Sequence, residues 1–380
     1  MKVILIVLII GLVVLVGTQV RGYMIWSNMD QTERFAVRMD SSVDDEKVFG
    51  SVMRIESKDK SLQYEIARGN LDIDDVFCAG SITKLFTATI IFQLVEEEMI
   101  DLTDTLNMFL TEEELDGLHY YNGNNYGALI TIEQLISQTT GLPDHYLEEV
   151  NGKSLYEEIK ENDRKFEFEE FLQRSKMLEP HFINGTSGKA YYADINFDIL
   201  GVIAERVTGS NLNDLFTWRI FEPLNLENTS LAVEDSQYAP VHLNGEIFEI
   251  NLAKSSMQAN GGIISNTHDM MIFLRAFMEG ELFPVFYLEN GEWNDIQFDH
   301  HQYKNGMMRF QITGFWSIFG DYELIGHSGS TGGFAFYSPE KEVYIVGTTN
   351  QASDPSLQYR LVYQLIGSVK NQRTNSEKGG

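Results

Sequence analysis

The stretch FCAGSITKLFTATII, residues 77–91, joins a Ser-x-x-Lys pair to a long apolar run. A spacing of three in a helix places Ser81 and Lys84 on one face, one turn apart. The amine then lies beside a hydroxyl at a helix start, where backbone N–H groups lack partners and the helix dipole favours negative charge. A serine nucleophile needs a base for its proton and donors for an oxyanion. The stretch therefore predicts a buried helix with a candidate nucleophile on its first turn.

Two further Ser-x-x-Lys matches occur, at residues 57–60 and 338–341. Each lies in a polar stretch between two strand-like runs, so both are interpreted as hairpin connections. Only Ser81 opens a long apolar helix, and this context, rather than the motif itself, selects it.

The chain is strongly acidic. It has 380 residues and a formal net charge of −28. Nucleic-acid binding is excluded, because counterion release needs clustered Lys and Arg and none are clustered here. The acidic balance is interpreted as a heavily solvated surface. The length predicts two closely packed subdomains or one large mixed domain.

Cys78 is the only cysteine, which excludes an intramolecular disulfide. Its apolar neighbours favour a small buried hydrophobic side chain over a redox role. No spacing typical of metal ligands occurs, so no metal site is expected.

The N-terminus begins with an almost unbroken apolar run over residues 3–20. Such a run can just span a bilayer, and a signal peptide has the same charged start and apolar middle. The sequence predicts a membrane anchor or signal peptide over 1–22, a loose tether over 23–45, the main domain over 46–370 and a tail over 371–380. Both alternatives predict an exported domain outside the cytoplasm, either held at the membrane or secreted.

Strand-like runs at both ends of the domain enclose a helix-rich middle. An antiparallel hairpin is predicted over 48–56 and 62–68, and short β-rich runs follow residue 306. Helices are predicted over about 81–98, 147–177, 195–207, 266–278 and 356–370. The pattern predicts one sheet closed by distant segments, with a helical insertion over about 100–260.

A tyrosine and an aspartate precede the helix predicted over 195–207. Tyr192 and Asp194 are two residues apart after a Gly-containing loop, so both side chains can reach one site. The alternative is structural, because Asp194 is a good helix N-cap and Tyr192 a suitable packed aromatic. Both interpretations stay open on these residues alone.

A glycine-rich stretch over residues 326–333 contains His327, Gly329 and Ser330. Its glycines permit close approach of the backbone to a ligand. His327 could donate to a substrate carboxylate or carbonyl. The alternative is a glycine-rich turn with an incidental histidine.

Together and in this order, the three stretches resemble the serine β-lactamase and penicillin-binding protein superfamily. The family carries Ser-x-x-Lys, then Tyr-x-Asn, then Lys-Thr-Gly or His-x-Gly. Here the corresponding stretches are Ser-Ile-Thr-Lys at 81–84, Tyr-Ala-Asp at 192–194 and His-Ser-Gly at 327–329. The chain looks most like the branch of class C β-lactamases, D-Ala-D-Ala carboxypeptidases and related esterases. The resemblance covers about residues 45–368. It implies a mixed α+β or α/β fold, an antiparallel sheet flanked by helices with a helical subdomain.

The resemblance also implies roles for the site residues. Ser81 would be acylated, Lys84 would activate it, and Tyr192 would relay protons to the leaving group. The backbone N–H groups of Ser81 and Ser330 would form an oxyanion hole, and His327 would face the carboxylate side of the substrate. The substrate side of the site is implied to contain Asp194, His327, Gly329 and Ser330. No cofactor or metal is implied.

Two residues depart from the family pattern. Asp194 stands where asparagine is usual, and a carboxylate beside Lys84 would favour the ammonium and oppose a base role. His327 stands in place of the lysine of true β-lactamases, and a mostly neutral imidazole attracts a carboxylate less than an ammonium does. The replacement at His327 favours esters or less anionic amides over β-lactams and acyl-D-Ala-D-Ala peptides.

We therefore expect a serine hydrolase that acts through an acyl-enzyme on a small molecule or a peptide, with cell-wall-derived peptides among the candidates. D-amino-acid peptides, short acyl esters and β-lactams all stay open as substrates. The alternatives are a β-lactamase, a non-catalytic or slowly acylated penicillin-binding sensor module on the same scaffold, and an anchored interaction protein.

Overall fold

A computed structural model describes residues 26–312 and 322–369. Within them, eight strands form one antiparallel sheet in which Gly50–Ser57, near the start of the chain, pairs with Val343–Thr348, near its end. The strand order is Asn294–Asp295, His301–Lys304, Met307–Ile312, Tyr322–Ser328, Gly333–Ser338, Val343–Thr348, Gly50–Ser57 and Gln63–Gly69. The predicted sheet of distant segments and its first hairpin are therefore confirmed.

Helices cover both faces of this sheet, and the side chains of each strand alternate between the two faces. Phe334 packs with the helices Gln31–Asp40 and Ser356–Ser368. The next residue, Ala335, belongs to the larger core on the opposite face, together with the helix Thr267–Glu279. The fold is the expected antiparallel sheet flanked by helices.

The other elements are short strands and helices that connect this sheet to the helical region. The remaining strands are Phe77–Cys78, Tyr120–Tyr121, Asn124–Asn125, Ser230–Leu231, His242–Leu243, Glu246–Ile247 and Ile263–Ser265. The further α-helices are Thr83–Glu96, Glu112–Leu115, Ile132–Ile136, Leu155–Glu161, Phe168–Lys176, Ile195–Thr208, Leu212–Phe216, Glu222–Leu224, Asn251–Ser256, Gln258–Gly261 and Phe286–Glu289. Single turns of 3₁₀-helix occur at Gly80–Ile82, Leu106–Met108 and Gly127–Leu129, and a π-helical turn at Thr217–Phe221.

The helix Thr83–Glu96 lies inside the larger core, and most of its residues are buried. A helix that is apolar around its whole circumference has no face to offer water, so it is buried on all sides. The hydroxyl of Thr87 donates to the carbonyl of Ala259 at 2.6 Å, which satisfies a buried polar group. The turn Gly80–Ile82 leads directly into this helix, so Ser81 lies at its start as predicted.

The other long helices are also found where the sequence predicts them. The helix predicted over 195–207 is Ile195–Thr208, and it ends at Gly209, whose φ of 70° suits a residue without a Cβ atom. The helix predicted over 266–278 is Thr267–Glu279, with Asn266 as its N-cap.

The acidic stretch 147–177 is not the helical segment expected. It forms two short helices, Leu155–Glu161 and Phe168–Lys176. Between them the carboxylate of Asp163 accepts hydrogen bonds of 2.8 Å from the first backbone N–H groups of Asn251–Ser256. The segment between the two helices thus caps a distant helix, a contact that a local pattern does not reveal.

The segment expected to be a loose tether, residues 23–45, contains the helix Gln31–Asp40 in its described part. Asp30 caps the helix through a capping box. Phe35 and Met39, one turn apart, are fully buried in the core beneath the sheet. This segment is therefore part of the folded domain, because two apolar side chains attach it.

The predicted anchor or signal peptide, residues 1–22, lies outside the described residues, as does the tail 371–380. Over 26–312 and 322–369, no helix combines the length and the apolar character that crossing a bilayer requires. Export and membrane attachment stay predictions.

Candidate active site

The hydroxyl of Ser81 and the amino group of Lys84 are in direct contact. Lys84 Nζ donates to Ser81 Oγ at 3.1 Å and to the carbonyl oxygen of Asn260 at 2.8 Å. Lys84 is fully buried, whereas Ser81 is partly exposed. Ser81 and Lys84 thus lie on one face, one turn apart, as predicted. Of the two groups, only the hydroxyl is open to a bound molecule.

Gly80 allows the glycine-rich loop to approach the nucleophile. Its φ is 57°, and a Cβ atom there would lie 3.2 Å from the backbone nitrogen of Ser330. A Cβ atom on Gly329 would lie 2.2 Å from the carbonyl oxygen of Ala79. No side chain fits at such distances, so the two glycines bring Ser330 against the residue that precedes Ser81.

Asp194 faces Lys84. Its Oδ1 is 2.7 Å from Lys84 Nζ, and both side chains are largely buried. Although Asp194 precedes the helix Ile195–Thr208, its side chain makes no capping hydrogen bond. The N-cap interpretation is therefore wrong, and the residue that departs from the family pattern places a carboxylate directly against the lysine.

Tyr192 is fixed by its own backbone. Its N–H donates to Gln297 Oε1 and its carbonyl accepts from Gln297 Nε2, both at 2.8 Å. The next residue, Ala193, donates its N–H to Gln138 Oε1 at 3.0 Å. These bonds hold the phenol ring with its centroid 5.0 Å from Lys84 Nζ, where the aromatic face attracts a cation.

The Tyr192 hydroxyl is buried and faces Ser81. Burial, followed by the negative charge of Asp194, raises the pKa of Tyr192 well above its usual value, and the Ser81 hydroxyl acts in the opposite direction. The contact with Ser81 is not a well-aligned hydrogen bond. The phenol therefore keeps its proton at neutral pH and lies next to the nucleophile.

His327 lies next to Tyr192, but its ring is buried and not exposed at the site. Its ring is fully buried with the centroid 6.0 Å from that of Tyr192. Nδ1 is 2.7 Å from the Ser328 carbonyl and Nε2 is 3.4 Å from the Tyr303 hydroxyl. Burial, followed by the charge of Lys84, lowers the pKa of His327 to about 3. The imidazole is therefore neutral, and its one proton is assigned to Nδ1, facing the backbone.

This arrangement corrects the expectation that His327 faces the substrate's carboxylate. Both ring nitrogens have protein partners, and the ring carries no charge at neutral pH. Its neighbour in the loop, Ser330, is exposed beside Gly80 and is the residue of this stretch that a substrate can reach.

Two more buried carboxyl groups lie around the Lys84–Asp194 pair. Asp144 Oδ1 accepts from the backbone N–H of Asp194 at 3.1 Å. Asp198 Oδ1 accepts from Asn260 Nδ2 at 2.7 Å, and Asn260 is also the residue whose carbonyl holds Lys84. The acidic groups are thus joined to Lys84 through shared hydrogen-bond partners.

The protonation of this cluster follows from burial. Burial, followed by the charge of Asp194, raises the pKa of Asp144 to about 8 and that of Asp198 well above its usual value. His145 Nε2 is 3.8 Å from Asp198 Oδ2, and burial lowers the pKa of His145 to about 4. At neutral pH, Asp144 and Asp198 therefore stay mostly protonated, and the carboxyl group in direct contact with Lys84 is that of Asp194.

Sequence reasoning missed Asp144, Asp198, Gln138 and Gln297. One signal was present, since Asp194 and Asp198 are four residues apart and share a helix face. Gln297 offered none, because it lies 105 residues beyond Tyr192. Over residues 26–312 and 322–369, no three His, Cys, Asp or Glu side chains are placed to hold a metal ion.

Comparison with known proteins identifies the class. The model of the beta-lactamase family matches residues 49–366. The chain therefore belongs to the beta-lactamase family, within the serine β-lactamase and transpeptidase superfamily that its motifs resemble.

Relatives with similar sequences are found in fungi and bacteria. The chain is 24% identical over 233 residues to an unguisins hydrolase of Aspergillus campestris, covering 57% of this chain and 40% of that protein. It is 27% identical over 152 residues to the protein flp of Staphylococcus aureus, covering 40% of this chain and 27% of that protein. Both matches span well under two thirds of the relatives' length.

Solved structures share the fold more completely. A D-stereospecific amidohydrolase from Streptomyces sp. superimposes with a TM-score of 0.71 at 23% identity, over 87% of this chain and 98% of the other. A D-amino acid amidase from Ochrobactrum anthropi SV3 gives 0.72 at 16% identity, over 90% and 99%. A penicillin-binding protein from Bacillus halodurans gives 0.65 at 18% identity, over 87% and 98%. These likenesses establish the fold.

Proposed function

We propose that this protein is a serine hydrolase that forms an acyl-enzyme on Ser81 with an amide or ester substrate. The observation that carries the proposal is the 3.1 Å contact of Lys84 Nζ with a partly exposed Ser81 Oγ, next to the buried phenol of Tyr192. A nucleophile, a cation and a proton carrier thus meet at one point, which is the arrangement covalent catalysis requires.

Acylation starts when Ser81 Oγ attacks the substrate carbonyl carbon and the electrons of the carbonyl double bond move to its oxygen. The carbonyl double bond then re-forms, and the bond from its carbon to the leaving nitrogen or oxygen breaks with its electron pair. Tyr192, neutral at working pH, gives its proton to this leaving atom while the Ser81 proton passes to the phenol oxygen. Lys84 donates to Oγ and stabilises the negative charge that develops there. The N–H groups of Ser81 and Ser330 are the proposed oxyanion donors.

Deacylation follows the same path in reverse. Water attacks the ester carbon, its proton passes to the phenol oxygen of Tyr192, and the phenol proton returns to Ser81 as the acid leaves. Every proton taken from one group is given to another, so the cycle restores the starting enzyme.

The substrate proposed first is an amide or ester, including amides of D-amino acids. Solved structures with this fold include proteins named D-stereospecific amidohydrolase and D-amino acid amidase. Burial keeps His327 neutral by lowering its pKa to about 3, so the loop of residues 327–329 lacks the cation expected of an efficient β-lactamase.

The Lys84–Asp194 ion pair favours a second candidate, a binding module that is acylated and turned over slowly. A carboxylate 2.7 Å from the lysine offsets the positive charge available to Ser81. Such a protein would accumulate as acyl-enzyme after one acylation step, whereas a hydrolase would release product continuously.

Labelling with a fluorophosphonate and with a fluorescent penicillin tests the proposal. We expect the wild type to be labelled and Ser81→Ala not. Ser338→Ala is the matched control, since Ser338 opens another Ser-x-x-Lys motif but is fully buried at the end of the strand Gly333–Ser338. Equal labelling of wild type and Ser81→Ala would refute the proposal. Product release from p-nitrophenyl esters and D-amino acid amides after the labelling phase separates the hydrolase from the slow binder.

A further inference from the structure

A small pocket borders Ser330 and Thr331 and is lined mainly by aromatic and aliphatic side chains. Tyr146, Tyr156 and Phe248 follow one another along it, with ring centroids 5.7 and 6.1 Å apart in successive pairs. Its cavity of about 30 Å³ is room for one or two water-sized groups. Among the lining residues that the structure describes, Lys254 is the one with a charge.

Lys254 is only 4% exposed, and its Nζ donates to the carbonyl of Gly261 at 3.0 Å. An ammonium has three N–H donors, and a buried charge without a counter-ion is unfavourable. Within residues 26–312 and 322–369, Lys254 belongs to no ion pair. Donor capacity is thus left for a group that enters the pocket.

Lys84 provides the contrast. Lys84 and Lys254 donate to consecutive carbonyl groups, those of Asn260 and Gly261, at the end of the short helix Gln258–Gly261. Lys84 has a carboxylate partner in Asp194. The two buried lysines have the same backbone anchor, but only one has a counter-ion in the described protein.

The pocket is part of the neighbourhood of the nucleophile. A Cβ atom on Gly261 would lie 3.8 Å from Lys254 Nζ and 4.0 Å from the carbonyl carbon of Gly80. Tyr146 lines the pocket and also lies close enough to Asp194 for that charge to raise its pKa, after the larger effect of burial. A substrate whose carbonyl lies between Ser81 and Ser330 can therefore extend a small group toward Lys254.

We propose that this pocket is a substrate subsite in which Lys254 binds a carboxylate joined to the small apolar part of the substrate next to the reacting carbonyl. The inference rests on the proposed function and names the class of substrate, an amide or ester that bears a free acid. The chain's net charge of −28 opposes the approach of anions. A preference for an acidic substrate must therefore come from the contact between its carboxylate and Lys254. The neutral His327 cannot supply it.

Binding to a variant that cannot turn over tests the subsite separately from catalysis. We would titrate the full-length Ser81→Ala chain with N-acetyl-D-Ala-D-Ala and with p-nitrophenyl monosuccinate, and with the primary amide of each acid. These pairs place the acid on the leaving-group side and on the acyl side. In one pair at least, the acid should bind about ten- to a hundredfold more tightly than its amide, the range of a charge-assisted hydrogen bond.

Adding Lys254→Met to Ser81→Ala should remove the preference for the acid, because it weakens binding of the acid and leaves binding of the amide unchanged. Adding Lys254→Arg instead should keep most of the preference. The single variant Ser81→Ala already tests the subsite. If it binds acid and amide equally tightly in both pairs, the proposed subsite is wrong. A loss that is equal for acid and amide in Lys254→Met would overturn it as well. Failure of wild-type labelling at Ser81 would instead count against the hydrolase, and the titration would still decide the subsite.

Discussion

Lys84 and Asp194 form a buried ion pair with Nζ and Oδ1 2.7 Å apart, and the same Nζ donates to Ser81 Oγ at 3.1 Å. The charge of Asp194 therefore acts on the nucleophile through one shared group. An asparagine, which the family pattern has at this position, would offer a hydrogen bond without the charge. The charge that reaches the Ser81 hydroxyl thus depends on the balance between Lys84 and Asp194.

Asp194→Asn should raise the rate of Ser81 labelling about tenfold, the equivalent of one pK unit, because the positive charge of Lys84 is no longer offset. The same change should lower the free energy of unfolding by about 3 kcal/mol, because the ammonium loses its buried counter-ion. Stopped-flow labelling and urea unfolding measure the two effects. Asp235→Asn, at an exposed position, is the control and should change neither. Slower labelling with unchanged stability would contradict this prediction.

Tyr192→Phe should lower kcat/KM about a hundredfold, because the phenol proton that is passed to the leaving group is removed. Stability should change little, since the hydroxyl makes no well-aligned hydrogen bond within the described residues. The adjacent Tyr191 is the matched control, and Tyr191→Phe should stay within about twofold of wild type on the same ester. If both variants retain full activity, the phenol is not the proton carrier.

Asp144→Asn should change how stability depends on pH. Burial, followed by the Asp194 charge, raises the pKa of Asp144 to about 8, so between about pH 4 and 8 the native state binds a proton that the unfolded state has lost. Stability contributed by the protonated carboxyl is full below the unfolded pKa and is lost as pH rises, at most about 1.4 kcal/mol per pH unit. Asp144→Asn has no carboxyl to ionise at this position, so it does not lose this stability as the pH rises. Its unfolding midpoint in urea should therefore rise relative to wild type from pH 5 to pH 8, and a constant offset would disprove the raised pKa.

His327→Gln should leave the shape of the pH–rate profile unchanged between pH 5 and 8. Burial, followed by the charge of Lys84, lowers the pKa of His327 to about 3, so the ring does not titrate in this range and a neutral amide mimics its charge. The rate itself should fall by a uniform factor, because one of the two hydrogen bonds of the ring is lost. The measurement is kcat/KM on a neutral ester. A profile that loses a limb near pH 6 would show that His327 does titrate.

Gly329→Ala should abolish Ser81 labelling. A Cβ atom there would lie 2.2 Å from the carbonyl oxygen of Ala79, and backbone must shift to relieve the clash. The loop that holds Ser330 would then move away from Ser81. Gly117→Ala is the control, since nothing lies within 4 Å of a Cβ there, although its φ of 75° costs about 1 kcal/mol. Normal labelling of Gly329→Ala would mean that the loop position is unimportant.

Much of the site could be predicted because its chemistry lies in short motifs. Ser81 and Lys84 are one helical turn apart, so their contact follows from helix geometry alone. The helix around them is recognised by its apolar composition. The exposed position of Ser330 beside Gly80 also agrees with a glycine-rich loop that approaches a ligand.

The direction of side chains could not be predicted in the same way. Asp194 precedes a helix, where a capping role is the usual expectation, but it turns toward Lys84. His327 lies in a loop that suggests substrate contact, yet its ring is buried against Tyr303. Sequence position gives the neighbourhood of a side chain, whereas competing partners from other segments decide where it points.

The sequence by itself determined the main strands and long helices, the contact between Ser81 and Lys84, and the family of the protein, because these depend on periodicity and on motifs with local spacing. Only the tertiary structure decided the protonation of the buried acids, the neutrality of His327 and, within the described residues, the burial of Lys254 outside any ion pair. The physical reason is that burial and the distance between charges set these properties, and both arise when segments far apart in the chain pack together.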